Sequence, residues 1–247
     1  INKFYNKNFT SKEAEKFLKK ISKKEKFKKN NFQTYLISKI GRKLYEKFYK
    51  NYTIKQWGIH PKKLDKSIVG RLPIRFNRDP FYVSQKLKVM PKNGYTSLFK
   101  KMINNDKIKI CLNTSYEDIK GIVKPKVATV YTGPPDTFFK YKHGKLQWRS
   151  LEFKFVTKKK EKIQECVQIN FPNDKKYTRK VEIKHVTKQK SKYSTLSYEF
   201  PKSKGDPYYP INDKKNISIF KRYEKLIKKL EKKHIYFEGR LAKYKYL

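Results

Sequence analysis

The groups in this chain best suited to chemistry are a few guanidinium forks set among aromatic rings. Eight of its 64 basic residues are arginine and the rest are lysine. Where positive charge defaults to lysine, an arginine marks a place that needs a planar, permanently charged donor able to grip a phosphate or carboxylate through two hydrogen bonds. "RLPIRF" sets Arg71 and Arg75 around Pro73, while "WRS" holds Arg149, "YTR" holds Arg179 and "EGRL" holds Arg240. Rings accompany them: Tyr52 and Trp57 in "YTIKQWG", two tyrosines in "PYYP" at 207–210, and two more in "RLAKYKY". Forks and tyrosine hydroxyls suit a diphosphate, and tyrosine faces suit a base or sugar. From the residues alone this is a site for a nucleotide-like anion, although Tyr52 and Trp57 taken singly read more readily as core.

Other chemistries find no support. The nine glycines form neither GxGxxG nor a P-loop, and no Ser-His-Asp or Cys-His arrangement is evident. Cys111 and Cys166, both in strand-like segments, and the four histidines lack metal-ligand spacing, so neither a metal site nor a disulfide framework is expected. Asp136, Glu152 and Asp206 stand apart in sequence and suggest no acid–base pair.

With 247 residues, 37% of them hydrophobic and 15% aromatic, the chain is long and apolar enough for a real core. No apolar run approaches a bilayer span and no signal peptide opens the chain, so a cytoplasmic protein without membrane insertion is the expectation. The first residue is Ile, which suggests a segment of something longer. A net charge of +43 invites a nucleic-acid reading. The lysines are spread through nearly every segment, however, and accompany Asn, Ile, Tyr and Phe, as an A/T-biased genome would supply. No dedicated nucleic-acid surface is therefore expected.

The elements that must position these groups follow from periodicity. A capping box at Thr10 and Glu13 opens a helix with Ala14, Phe17, Leu18 and Ile21 on one face. A second pattern runs through Phe32, Tyr35, Leu36 and Ile40, breaks at Gly41 and resumes through Leu44 and Phe48. Prolines at 61, 73, 80 and 91 make the next stretch irregular, where presented loops occur. Leu98 to Ile103 reads as a helix, Ile108, Ile110 and Leu112 as a strand, and "KVATVYTGPPD" as a buried strand ending in a turn. Alternation then predicts four strands of an antiparallel sheet with one wet face, carrying Leu151/Phe153/Phe155, Val167/Ile169/Phe171, Val181/Ile183 and Leu196/Tyr198/Phe200. An amphipathic helix through Ile219, Tyr223, Ile227 and Leu230 precedes a last strand in "HIYFEG".

Taken together, "FYKNYTIKQWG", "SIVGRLPIRFNRDPFY", "MPKNGYTSLFKKMI", "VYTGPPDTFF", "WRSLEFKF", "YTRKVEIKH", "GDPYYPIND" and "FEGRLAKYKY" resemble the bacterial UDP-galactopyranose mutase family, in order and across almost the whole chain. The resemblance implies a multi-part α/β fold: a helical bundle with a mobile substrate loop at 1–90, part of a Rossmann-like FAD-binding domain at 91–139, an antiparallel substrate domain at 140–212 and a return to the FAD domain at 213–247. It implies interconversion of UDP-galactopyranose and UDP-galactofuranose through a reduced-flavin N5 adduct at the anomeric carbon, for galactofuranose glycans, by a possible homodimer.

Residue by residue, Arg71 matches the loop arginine that clamps the diphosphate, with Arg75 bracing that loop, and Arg179 matches the second diphosphate arginine. Phe48, Tyr52 and Trp57 match the uridine pocket and the ring beside the substrate. Tyr82, Tyr209 and Tyr246 match diphosphate tyrosines, and Arg149 and Asn170 match polar cleft residues. Arg240 matches a contact to the FAD pyrophosphate, near which Tyr246 also falls, and Asn113 with Thr114 matches the adenosine contact. Asn51 and Glu238 stand where the family carries glycine, and the family's dinucleotide fingerprint is absent from these residues. The expectation is therefore a fragment with weak or no FAD binding and no turnover. An inactive UDP-sugar binder and a basic nucleic-acid-binding protein are the alternatives.

Overall fold

A computed structural model describes residues 1–23, 30–69, 74, 76, 86–87 and 89–245. The helical part comprises α1 (Asn2–Tyr5), α2 (Ser11–Lys23), α3 (Phe32–Ile40) and α4 (Arg42–Leu44), then a π-helical turn (Tyr45–Lys50) leading into α5 (Asn51–Trp57). The Thr10 hydroxyl accepts from Glu13 N–H at 3.3 Å while the Glu13 carboxylate accepts from Thr10 N–H at 2.8 Å, the expected capping box. Asn31 caps α3 by accepting from Thr34 N–H at 3.0 Å. Leu18, Leu36, Ile37, Ile40, Leu44, Tyr45 and Trp57 close into one core, joined by Leu64 and Val69 from the connection after α5. Full burial of one such side chain is worth about 1.5–3 kcal/mol.

Gly41 ends α3 at φ +78, and a Cβ there would meet the Ile21 side chain at 2.9 Å, so glycine permits both the turn and the close approach of α2. The π-helical turn admits an extra residue before α5 and resets the face that helix presents.

The middle of the chain is built differently. It carries α6 (Gly94–Met102) and α7 (Tyr116–Ile119), yet no described residue from 86 to 128 is buried. The strand expected at Ile108 to Leu112 is absent, and all three apolar residues are exposed; their alternation has no neighbouring strand to bond with. "KVATVY" yields only β1 (Thr129–Tyr131), with Val130 60% exposed rather than buried. After α8 (Pro135–Phe138) the chain enters the main sheet. Neither Cys111 nor Cys166 lies in a strand, and both are exposed.

β2 (Trp148–Lys158), β3 (Gln168–Asn170), β4 (Arg179–Val181), β5 (Ser194–Lys202) and β6 (Tyr209–Pro210) form an antiparallel sheet of order β3-β4-β5-β2-β6, with α9 (Lys184–Thr187) on the β4–β5 connection. Its register corrects the expectation of one wet face. Phe153 pairs with Glu199, and Phe155 with Ser197, so these rings stand on the opposite face from Leu196, Tyr198 and Phe200.

Glu182, fully buried just after β4, anchors the sheet's far end. Its carboxylate accepts from the N–H groups of Ile163 at 3.0 Å and Gln164 at 2.8 Å and from the Ser194 hydroxyl at 2.5 Å, and it lies 3.4 Å from His185. Burial pushes this carboxyl up, but the donors and His185 outweigh that and hold it below the ordinary range.

The amphipathic α10 (Lys214–Glu231), capped by Asp213, leads to β7 (Ile235–Phe237) and α11 (Gly239–Ala242). β7 pairs in parallel with β1. Leu146, Tyr223, Ile227, Phe237, Ala242 and Tyr244 are buried here, against Phe138, Phe139 and Trp148. The Tyr223 hydroxyl donates to Gly144 C=O at 2.8 Å and accepts from His143 N–H at 3.0 Å, tying α10 to the loop before the sheet.

Candidate functional site

The sheet's register assembles the candidate site. Asn170 on β3 lies opposite Arg179 on β4, Arg179 opposite Glu199 on β5, and Glu199 opposite Phe153 on β2. Directly opposed residues share a face, so these four form one row across the sheet. Arg149, four residues before Phe153 on β2, shares that face and pairs with Tyr209 on β6.

Arg179 is the centre of the row. Its Nε lies 2.7 Å from Glu199 Oε2, in an ion-pair contact rather than an aligned hydrogen bond, and a terminal nitrogen donates to the Tyr209 hydroxyl at 2.8 Å. Tyr209 in turn meets Trp57 edge-on, with ring centroids 5.9 Å apart. Burial raises the Glu199 carboxyl above its ordinary value, and the adjacent guanidinium only partly offsets this. A half-desolvated guanidinium can grip a doubly charged phosphate strongly, since charge-assisted hydrogen bonds gain strength as water is excluded, and Glu199 competes with the phosphate for it.

Helix α5 forms the opposing wall. Tyr52 is half-buried five residues before the buried Trp57, and Phe48 precedes Tyr52 by four residues on the exposed side of the π-helical turn, edge-on to Phe4. Arg149 fixes this helix to the sheet. It is 6% exposed, and its Nε donates to Gln56 C=O at 2.9 Å, one terminal nitrogen to Lys55 C=O at 3.2 Å and the other to the Ser203 hydroxyl at 2.6 Å. A Cβ at Gly58, which ends α5 at φ +68, would stand 2.9 Å from this guanidinium, so glycine keeps the helix end open to it. Arg240 has a related position: one nitrogen donates to the carbonyls of Pro207, at 3.0 Å, and Tyr208, while its guanidinium lies 5.9 Å from the Trp148 ring centre. It holds the segment that delivers Tyr209.

The structure thus brings Trp57, Arg149, Asn170, Arg179 and Tyr209 to one α5–sheet junction, with Tyr52 and Phe48 along the same helical stretch. Asn113 and Thr114 stand elsewhere, in the exposed middle of the chain. Arg71, Arg75, Tyr82 and Tyr246 lie outside the described residues. Sequence reading missed Glu199, an acid embedded between two strand aromatics in a chain with 21 acids against 64 bases. That scarcity was its available signal.

An implied FAD does not fit the residues present. Asn113 and Thr114 belong to a stretch with no buried residue among those described, Arg240 is engaged with backbone carbonyls, and the sequence holds no glycine-rich phosphate turn.

A helical bundle docked by cations onto a mixed-face antiparallel sheet, with a parallel strand pair beside it, defines a mixed α/β class. Residues 47–246 match the family model for UDP-galactopyranose mutase, and the chain belongs to that family. It is 34% identical to a probable UDP-galactopyranose mutase of Klebsiella pneumoniae over all of this chain and 64% of that relative. It is 33% identical to a dTDP-fucopyranose mutase of Escherichia coli over all of this chain and 67% of that relative. The crystal structure of a reduced UDP-galactopyranose mutase superposes with a TM-score of 0.70, at 15% identity, over 95% of this chain and 68% of that one, which shows the shared fold. The chain therefore spans about two thirds of the length of these relatives.

Among the described residues, no helix is long and apolar enough to cross a membrane.

Proposed function

We propose that this chain forms the nucleotide-sugar wall of a UDP-galactopyranose mutase, an isomerase interconverting UDP-galactopyranose and UDP-galactofuranose. The observation that carries the reading is Arg179 held between Glu199 and the Tyr209 hydroxyl, opposite the helix that bears Tyr52 and Trp57. Arg179 and Tyr209 bind the diphosphate and stabilise the charge that gathers there when the anomeric bond breaks, and Tyr52 supports the base. Arg71, Tyr82 and Tyr246 complete the diphosphate site, Phe48 borders the uridine, and Asn170 and Arg149 line or brace the cleft. The family is flavin-dependent. Because the described residues form no flavin cradle, the role proposed for this chain is confined to binding and orienting the nucleotide sugar.

The similarity to a dTDP-fucopyranose mutase supports a second reading, in which the same wall takes a thymidine diphosphate 6-deoxysugar. Calorimetric titration of the 247-residue chain with UDP, dTDP and uridine separates the readings. Saturable UDP binding is expected, weakened by tenfold or more in Arg179→Ala, because a charged hydrogen bond is worth about 1.5–3 kcal/mol. Preference for dTDP over UDP favours the second reading. Binding that does not saturate, or that vanishes with salt equally in wild type and Arg179→Ala, overturns both.

A further inference from the structure

Lys55 makes contacts unlike those of a solvated surface lysine. It lies on α5 between Tyr52 and Trp57, and its ammonium donates to three backbone carbonyls: Lys175 at 2.8 Å, Tyr177 at 3.3 Å and Phe171. All three belong to the connection between β3 and β4, residues 171–178, which is closed at its base by Phe171 N–H donating to Thr178 C=O at 2.8 Å. Thr178 is fully buried and its N–H donates to Glu199 C=O at 2.9 Å; the next residue is Arg179. The Asn51 amide adds a second tether, donating to the Asn173 side chain at 2.9 Å, while Asn173 donates to Lys47 C=O at 3.1 Å.

Three carbonyl dipoles aimed at one point repel one another unless a cation occupies it, and a compact ammonium with three rotatable donors meets that need. Burial lowers the Lys55 pKa, with Asp174 opposing the shift, as expected of an ammonium drawn out of water.

We propose that Lys55 is a positioning residue for the reaction: its ammonium templates the β3–β4 connection and so fixes Arg179 against the α5 wall. This rests on the nucleotide site proposed above. One helix then sets both parts of the ligand, the base through Tyr52 and the diphosphate through Lys55, the templated loop and Arg179. Because the contact is to backbone, the loop's side chains are free to vary while the anchor is kept.

The test compares UDP with uridine, which lacks the phosphates. In Lys55→Met, UDP affinity should fall about tenfold, the scale of coupling between contacting groups, while uridine affinity stays within about twofold. Lys55→Met/Arg179→Ala should bind UDP no more weakly than Arg179→Ala alone, since both changes remove the same interaction. Backbone hydrogen exchange at Phe171 should quicken in Lys55→Met without a matching change across α10. Equal weakening of UDP and uridine, full additivity in the double variant, or unchanged exchange at Phe171 would overturn the proposal.

If Lys55→Met does not fold, Lys55→Arg carries the test. A planar fork fits three convergent carbonyls poorly, so UDP should weaken severalfold with uridine again unaffected, and wild-type UDP affinity in that variant would overturn the role. If wild-type chain binds no UDP, the nucleotide reading fails by itself, and hydrogen exchange still decides whether Lys55 organises the loop.

Discussion

The packed cores of the helical part and of the α10–β7 region and the stretch from 86 to 128 have similar apolar content but opposite fates. In those cores, Leu36, Ile37, Trp57, Tyr223 and Phe237 are buried. In the middle stretch, Leu87, Leu112, Ile122 and Val127 are each at least 76% exposed, and the helix α6 buries nothing. Hydrophobic residues stabilise only when another surface removes them from water, and the parallel pair β1–β7, a kind of sheet ordinarily covered on both faces, has two strands among the described residues. Stability therefore resides in those cores, and the candidate site lies at the α5–sheet junction.

Substitutions should separate the two regions. Phe237→Ala is expected to cost about 3–5 kcal/mol and Leu36→Ala about 2–5 kcal/mol in urea unfolding, as large-to-small changes in packed cores do. Leu112→Ala should stay within about 0.5 kcal/mol, like other exposed substitutions. A core-sized loss at Leu112 would break the comparison.

Glu182→Ala should cost about 3 kcal/mol or more by leaving buried donors without their acceptor. The same carboxylate gives the sheet a defined acid limit. Its folded pKa is depressed, so its stabilisation is present above the ordinary glutamate value and is lost as pH falls through the lower folded value. Acid unfolding followed by tyrosine signals from the sheet should show this loss, and Glu182→Gln should remove that pH dependence.

Glu199 makes a smaller prediction with the opposite sign. Its carboxyl is raised, so it gains a proton at higher pH than an exposed glutamate and ceases to compete with phosphate for Arg179. UDP affinity in wild type relative to Glu199→Gln should therefore rise as pH falls toward the acid range; a constant ratio would remove Glu199 from the site. Smallest of all, addition of FAD should leave the purified chain's melting temperature unchanged, because the middle stretch offers no formed cradle. Stoichiometric flavin retained after desalting would contradict that.

Much of these cores was legible in the sequence. The capping box at Thr10, the break at Gly41 and the long α10 follow from local chemistry, and the structure reproduces each. The informative arginines were visible because lysine is so common around them. Lys55 was hidden for the same reason: among so many lysines, nothing marks one whose partners are carbonyls 116 to 122 residues away. The strand expected at 108–112 failed because alternation records which side of a strand is apolar, not whether a neighbour exists to bond with it. The sheet's faces were misjudged because Glu199 and Arg179 occupy inward positions that pattern reading assigns to solvent.

The most direct measurement is a crystal structure of this chain with UDP bound. The diphosphate should lie within hydrogen-bonding distance of Arg179 and the Tyr209 hydroxyl, with uracil against Tyr52. A nucleotide lodged among surface lysines such as those of α10, with Arg179 and Tyr209 untouched, would contradict this placement.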